Sequence, residues 1–273
     1  MNATTLDPSA VGQATLGRPR LLGLRNLVRK DLAEWAHGKR PWLVLGITTT
    51  VFAFAAANSR ITEWAVRSLP ADPGDGPAKV LSVLPMDNLL FAIGTQFIVL
   101  AAIFATMSLL LVERDSGTLA WTISKPVSRT SVLVSKLLTA TLVLWAAAVV
   151  IPIAVTTVLV TVLYGMPDLA AVVTLGVTLI AVPAFYVAVA LAAATFVPSQ
   201  AAVGAIGLAV LLAPQIIGGI VPAITPFFPG SIFDWSVAVS TGAPASAVTP
   251  VAWLIGTAIL FGLAWKRLSA MDL

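Results

Sequence analysis

The chain has 273 residues and a formal net charge of +4, and it is 58% hydrophobic but only 10% charged. Soluble domains are about 45–50% apolar and about 25% charged, so this composition excludes an ordinary soluble enzyme. The chain has no cysteine and one histidine, which excludes disulfides and thiolate nucleophiles and leaves too few donors for a typical zinc site. The composition therefore predicts a membrane protein.

The segment before the first apolar stretch has two parts. Residues 1–19 are polar and contain Pro and Gly, which predicts a disordered tail, and residues 20–273 are expected to form a single transmembrane domain. After Arg20, apolar residues recur at spacings of three and four, which predicts an amphipathic helix on the inner membrane surface. Its membrane-facing residues would be Leu24, Val28, Leu32 and Trp35. A polar helix that merely leads into the first span remains the alternative.

Six apolar stretches are long enough, or nearly so, to cross the bilayer, which requires about 20 residues. They lie at residues 42–58, 89–112, 137–163, 169–196, 200–221 and 248–265. Pro152, Pro183 and Pro214 lie inside these stretches and are expected to kink them. The sequence therefore predicts an all-α membrane protein with six transmembrane helices.

The segment between the fifth and sixth spans, residues 222–247, combines helix-breaking prolines with aromatic residues. Pro222, Pro226, Pro229 and Pro244 interrupt helices, yet the segment is too apolar for a free loop because it contains Phe227, Phe228, Ile232, Phe233 and Trp235. The pattern predicts a short re-entrant or interfacial helix on the outer side.

The basic residues predict the orientation. If the N-terminus is cytoplasmic, the inside holds seven Lys and Arg before the first span, followed by Arg114, Lys125, Arg129, Lys136, Lys266 and Arg267. The outside then holds Arg60, Arg67 and Lys79. Because positive charge is retained on the cytoplasmic side, both termini are expected in the cytoplasm.

The sequence lacks features that several functional classes require. The six spans contain no ionisable residue, which disfavours a proton- or sodium-coupled carrier. No Gly-x-x-x-x-Gly-Lys-[Ser/Thr] motif is present to cradle phosphates, and no Ser-His-Asp set is available for hydrolysis. The chain is therefore expected to be neither an enzyme nor the holder of a cofactor or metal.

The most informative segment is the inside loop between the second and third spans, residues 113–136. It contains a polar helix end, a Gly break, a short stretch expected to expose Leu119, Trp121 and Ile123, and a Pro turn. An exposed apolar patch rimmed by charge indicates a docking surface for another protein. From the residues alone, a loop folded back on the membrane surface is an equal alternative.

This loop resembles the corresponding loop in permease subunits of type 2 ATP-binding cassette (ABC) exporters. The resemblance rests on Glu-Arg-Asp-Ser-Gly-Thr-Leu at 113–119, Lys-Pro-Val-Ser-Arg at 125–129 and Ser-Lys-Leu-Leu at 135–138. The chain departs from the pattern at Ser135, where Gly is usual, and at residues 122–124, where a Leu-Leu pair is common. The predicted surface helix, six spans and outer segment extend the resemblance over most of the chain.

The resemblance implies that the loop forms a coupling helix in a groove of a separate cytosolic ATPase. Positions that match the family pattern, together with the neighbouring Trp121, are Glu113, Arg114, Gly117, Thr118, Leu119, Trp121, Pro126, Arg129 and Lys136. Glu113 and Arg114 would form ionic contacts at the end of the second span, and Gly117 would permit the turn. Leu119 and Trp121 would fill the ATPase groove, and Arg129 would pair with an acid there.

The resemblance also implies the partners and location. The chain would act in the prokaryotic cytoplasmic membrane with a cytosolic ABC ATPase dimer, which would bind ATP and Mg²⁺, and with a second copy or a homologous permease. The absence of buried charge favours hydrophobic or amphiphilic cargo such as a drug, antibiotic or lipid. The alternatives are a secondary carrier or channel, which would predict inverted repeats or membrane carboxylates, and a non-transporting membrane scaffold subunit.

Overall fold

A computed structural model describes residues 21–68, 86–124, 127–228 and 231–271, and every regular element in these ranges is a helix. The predicted tail of residues 1–19 and the site residue Pro126 lie outside them. The α-helices are α1 (Leu24–His37), α2 (Arg40–Ser68), α3 (Met86–Thr106), α4 (Leu111–Asp115), α5 (Thr118–Ile123), α6 (Arg129–Trp145), α7 (Ile151–Tyr164), α8 (Leu169–Thr178), α9 (Ala181–Phe196), α10 (Gln200–Ile220), α11 (Ile232–Ser240) and α12 (Val248–Ser269).

The prediction of six membrane-spanning helices is confirmed. The spans lie at Arg40–Ala57, Gln96–Asp115, Arg129–Tyr164, Leu169–Phe196, Gln200–Ile220 and Val248–Ser269. Several helices continue past the apolar limits predicted from sequence, because a helix ends where its backbone hydrogen bonds end and not where its side chains become polar. The third span, for example, begins eight residues before the predicted boundary of 137.

Three spans are interrupted within their length. The second has a turn at residues 107–110, the third has a π-helical turn at Ala146–Val150, and the fourth has a break at residues 179–180. Pro152 and Pro183 follow two of these interruptions and lie in the first turn of the next helix, where a missing N–H is tolerated. Pro214 lies inside α10, which continues through it.

The first span contacts the π-helical turn through a side-chain hydrogen bond. A π turn widens the helix and disturbs the regular pairing of backbone N–H and C=O groups. The Thr48 hydroxyl lies 2.7 Å from the carbonyl oxygen of Val44, one turn back, and 3.2 Å from that of Ala147 in the π turn. Thr48 is fully buried and so connects the first and third spans inside the bundle.

The centre of the bundle is α9, the second half of the fourth span. Its residues from Ala181 to Thr195 are almost all buried, and it packs against α3, α6, α10 and α12. Alanine and valine dominate its sequence, and such small side chains allow neighbouring helices to approach closely. The fourth span therefore positions the ends of the second, third and sixth spans relative to one another.

One end of the bundle, called here the basic end, carries α1, α4, α5 and the last turn of α12. Helix α1 packs against α6 through Leu27, Asp31 and Trp35. The prediction that Trp35 faces the membrane is therefore wrong, because Trp35 is buried within the protein, whereas Leu32 is 40% exposed, as a membrane-facing side chain would be. Leu24 and Val28 are half-buried. The stripe that packs runs through Asp31, an acidic residue.

The opposite end carries the short helices between the fifth and sixth spans. A 3₁₀ helix at Pro222–Phe227 is followed by α11, which packs against α8 and α12. The predicted short helix in this segment is thus present. The Thr249 hydroxyl, at the start of the sixth span, donates to the carbonyl oxygen of Pro226 at 3.2 Å and fixes this segment to the bundle.

Candidate functional site

At the basic end, four ionisable side chains and one hydroxyl from three segments form the buried charge cluster: Lys30, Asp31, Glu113, Ser135 and Lys136. One carboxylate oxygen of Glu113, Oε1, lies 2.7 Å from Lys30 Nζ, and the other, Oε2, lies 2.9 Å from Lys136 Nζ. Asp31 accepts a hydrogen bond from the Ser135 hydroxyl. The cluster joins α1 to the end of the second span and the start of the third.

The electrostatics of the cluster explain why these charges are buried. Glu113 is only 8% exposed and Lys136 only 4%, and an isolated ion at such a position would pay a large desolvation penalty. Two lysines balance two carboxylates, so the cluster carries no net charge. Partial burial alone would lower the pKa of Lys30, but the hydrogen bond to Glu113 and its negative charge outweigh burial and raise this pKa.

The cluster does not offer a free cation site. Carboxylate oxygens of Asp31, Glu34 and Glu113 lie within 4.8 Å of one another, a spacing that suits a metal ion. Both oxygens of Glu113, however, already contact lysine ammonium groups, and Asp31 is bonded to Ser135. The geometry therefore favours ion pairing between helices.

Directly after Glu113 the chain turns into the short helix α5. Gly117 has a φ of 72°, a left-handed conformation that glycine adopts without strain, and it forms the N-cap of α5. The Thr118 hydroxyl donates to the carbonyl oxygen of Glu113 at 3.2 Å and lies 2.9 Å from the hydroxyl of Ser116. These contacts fix the direction of α5 relative to the end of the second span.

Helix α5 presents different side chains from those predicted. Leu119 is 1% exposed and belongs to the hydrophobic core, so the prediction that it is exposed is wrong. Trp121, two residues later, is 64% exposed. On a helix, residues two apart point in different directions, so α5 anchors itself through Leu119 and presents Trp121 outward.

Arg114 ties the same turn to the fourth span. Its guanidinium donates to the carbonyl oxygens of Ala194 and Pro198, each at 3.3 Å, and it also lies 3.5 Å from the Asp115 carboxylate. Backbone carbonyls at the end of α9 lack helical partners, and an arginine fork can satisfy two of them at once. Arg114 thus connects the loop to α9.

The far end of the loop is anchored as well. One guanidinium nitrogen of Arg129 donates to the carbonyl oxygens of Leu268 and Ser269, each at 2.7 Å, at the end of the sixth span. The side chain thus lies against the chain itself, which argues against the predicted pairing of Arg129 with an acid on another protein. Gly23 packs on Val127, and the backbone N–H of Ser128 donates to the Leu22 carbonyl.

Some residues of this site were predicted from the sequence, and others were not. Glu113, Arg114, Gly117 and Lys136 were predicted, and the structure brings them together. Lys30, Asp31 and Ser135 were not predicted as site residues. The available signal was the position of Asp31, four residues after Leu27 and four before Trp35, which places an acid in the middle of a buried stripe.

These features define a multi-pass membrane protein. Its loop between the second and third spans is held by ion pairs and hydrogen bonds to the second, third, fourth and sixth spans. The sequence profile described as "ABC-2 family transporter protein" matches residues 25–249, which is most of the chain. The chain therefore belongs to the ABC-2 family of transporter proteins and is a membrane permease of an ABC transporter. Such a permease is a transport subunit and is not catalytic by itself. No curated protein matches the chain.

Proposed function

We propose that this chain is the permease subunit of an ATP-driven exporter, and that α5 is the helix that transmits movement from a separate cytosolic ATPase. The ATPase would hold ATP and Mg²⁺, and this chain would form the path for the substrate. Residues 113–124 would meet the ATPase, with Trp121 at the centre of the contact. Leu119 serves to hold α5 in place.

The observation that carries this proposal is the anchoring of the loop on both sides of α5. The buried charge cluster and Arg114 hold the segment before α5, and Arg129 with residues 127–128 holds the segment after it. A force on α5 would therefore act on the second, third, fourth and sixth spans together. A loop that only rested on the membrane surface would need no such connections.

The mechanism follows from this connectivity. ATP binding would close the two ATPase subunits and move the two α5 helices of a permease dimer as levers. Because the second, third and fourth spans are each interrupted, their halves can tilt separately while the anchored ends move as a unit. The substrate path would then alternate between inward and outward access.

The exposed surfaces support a dimer and an apolar cargo. Few residues of the fifth and sixth spans are buried within the chain, although both spans are strongly apolar. Apolar helix faces on this scale contact lipid or another permease copy. Within the described spans, charged side chains lie near the basic end, so cargo in the path would meet mainly apolar groups, as a drug, antibiotic or lipid requires.

The proposal is tested at Trp121. We expect Trp121→Ala to reduce binding to the partner ATPase by about 30-fold or more, since a tryptophan anchor at the centre of an interface contributes about 2 kcal/mol or more. The measurement is affinity co-purification with the ATPase, together with ATP hydrolysis by the complex in lipid vesicles.

The matched control is Trp42→Ala, which removes another exposed tryptophan, 67% exposed, from the first span. This control should bind and stimulate the ATPase like the wild type. If both variants behave like the wild type, α5 is not the docking element and the proposal is wrong. If the chain instead transports a solute without any ATPase, a secondary carrier or channel becomes the better interpretation. If it binds an ATPase but transports no solute, a scaffold subunit becomes the better interpretation.

A further inference from the structure

An apolar groove with one charged residue lies between the first and second spans. Its volume is about 380 Å³. The first span contributes Leu43, Val44 and Ile47, and the second span contributes Phe97, Leu100, Ala101, Phe104 and Ala105. Arg40, the first residue of α2, is the single charged residue that lines it. From Arg40 to Ile47 the helix rises about 10 Å, so the groove runs inward from a cation at the membrane surface.

Arg40 also lines a second cavity of about 350 Å³, and Lys39 lines it as well. Both basic side chains are exposed, and neither forms an ion pair within the part of the chain that the structure describes. The acids on this cavity are Asp31, Glu34 and Glu113, and Lys30 and Lys136 balance the charges of Asp31 and Glu113 within the buried charge cluster. Glu34 is the remaining acid, so the basic pair prevails locally.

We propose that this groove is a binding site for an anionic phospholipid of the surrounding membrane. The phosphate and its anionic headgroup lie against Arg40 and Lys39, and one acyl chain lies in the groove between Leu43 and Phe104. A phospholipid carries charge at one end and hydrocarbon behind it, which is the order that Arg40 and the groove present along the membrane normal. Basic pockets between transmembrane helices bind anionic headgroups on the same physical grounds.

The site is independent of the ATPase, so it can be tested on the purified full-length chain in detergent. The probes are phosphatidylglycerol and phosphatidylcholine with identical acyl chains, and the measurement is the bound fraction by native mass spectrometry. The wild type should bind phosphatidylglycerol about 30-fold more tightly, since each of the two basic residues near the surface contributes about fivefold. Arg40→Gln should lower this preference to about fivefold, because Lys39 remains, and Arg40→Lys should retain most of it.

Three further variants distinguish a defined lipid site from nonspecific attraction between anionic lipids and basic residues. Arg25→Gln removes an exposed cation of α1 that lines neither cavity, and it should leave the preference unchanged. Ala101→Phe fills the groove without changing charge, and it should weaken both lipids by a similar factor. Glu34→Gln removes the remaining acid and should strengthen the preference for phosphatidylglycerol, which keeps the test informative if Arg40→Gln fails to fold.

Two results would overturn the proposal. Equal binding of the two lipids by the wild type would show that the basic residues do not recognise the anionic headgroup. An unchanged lipid affinity in Ala101→Phe would show that the acyl chain does not lie in the groove. A groove occupied by a second copy of the chain would instead appear as a dimer that Ala101→Phe dissociates, with no lipid bound. None of these results depends on whether Trp121 binds an ATPase, so the two proposals fail separately.

Discussion

Glu113 is the residue on which the basic end depends most. Its carboxylate contacts two lysines from two different helices, one 83 residues before it and the other 23 residues after it. Removing one partner of a buried pair is costly, because the remaining charge keeps its desolvation penalty without compensation. The stability of this end of the bundle should therefore depend more on matching the charges than on their number.

We expect Lys136→Met to destabilise the protein by about 3 kcal/mol, since it leaves Glu113 with only the partly exposed Lys30. The double variant Glu113→Gln with Lys136→Met should recover most of this loss, because it removes both charges. The measurement is thermal unfolding of the detergent-solubilised chain. A double variant that is less stable than Lys136→Met alone would show that charge pairing is not what these side chains contribute.

The sequence predicted Glu113 and Lys136 but not their partners on α1, for a physical reason. Pattern analysis assigns charged residues to the solvent side of a helix, whereas Asp31 is buried because Ser135, 104 residues later, bonds to it. Leu119 was predicted on the surface because it lies in a short apolar stretch of a polar loop, whereas it packs into the core. Long-range contacts decide both cases, and spacing along one segment does not reveal them.

At the scale of elements, the second and fifth spans approach each other closely at Gly207. A Cβ atom placed there would lie 2.9 Å from Cγ2 of Ile103, a side chain that is only 3% exposed. Small residues at helix crossings in membranes allow this kind of backbone approach. The absence of a side chain at Gly207 therefore sets the distance between these two spans.

We expect Gly207→Ala to cost about 1–3 kcal/mol, the usual penalty for adding a methyl group to a packed contact. The control is Gly219→Ala on the same helix, where an added Cβ would meet nothing within 4 Å. Thermal unfolding of the two variants in detergent measures the difference. Equal stability of both would mean that the two spans separate easily at this point.

The helices themselves were largely predictable, and Pro152 and Pro183 indicated two of their interruptions, but the form of these interruptions was not predictable. Six spans follow from hydrophobicity alone, because a single apolar stretch of about 20 residues crosses a bilayer as an α-helix. The π-helical turn at Ala146–Val150 consists only of alanine and valine, so nothing in its composition distinguishes it from the helix around it. Its partner Thr48 lies 99 residues away, and the contact becomes visible only in three dimensions.

At the scale of the whole molecule, the distribution of basic residues determines which face meets the cytosol. The basic end holds α1, the loop with α5 and the end of the sixth span, and the proposed ATPase can reach α5 only if this end is cytoplasmic. The chain contains no cysteine, so single cysteines can report the orientation without a background signal.

We expect Met166→Cys, between the third and fourth spans, to react with a membrane-impermeant maleimide in intact cells. Ser124→Cys, next to α5, should react only after the membrane is permeabilised. Both side chains are exposed in the folded chain, so accessibility of the side chain itself does not bias the comparison. The reverse labelling pattern would place α5 outside and would rule out a cytosolic partner for Trp121.

The π-helical turn also predicts how related chains should align with this one. A π turn holds one residue more than the α turn it replaces, so it corresponds to a single-residue insertion in the third span. A relative with an unbroken third span should then align with a one-residue gap between positions 146 and 150. Deleting Ala146 should therefore restore a continuous α-helix without rotating α7 relative to α6, because the π turn already holds the one extra residue that the deletion removes.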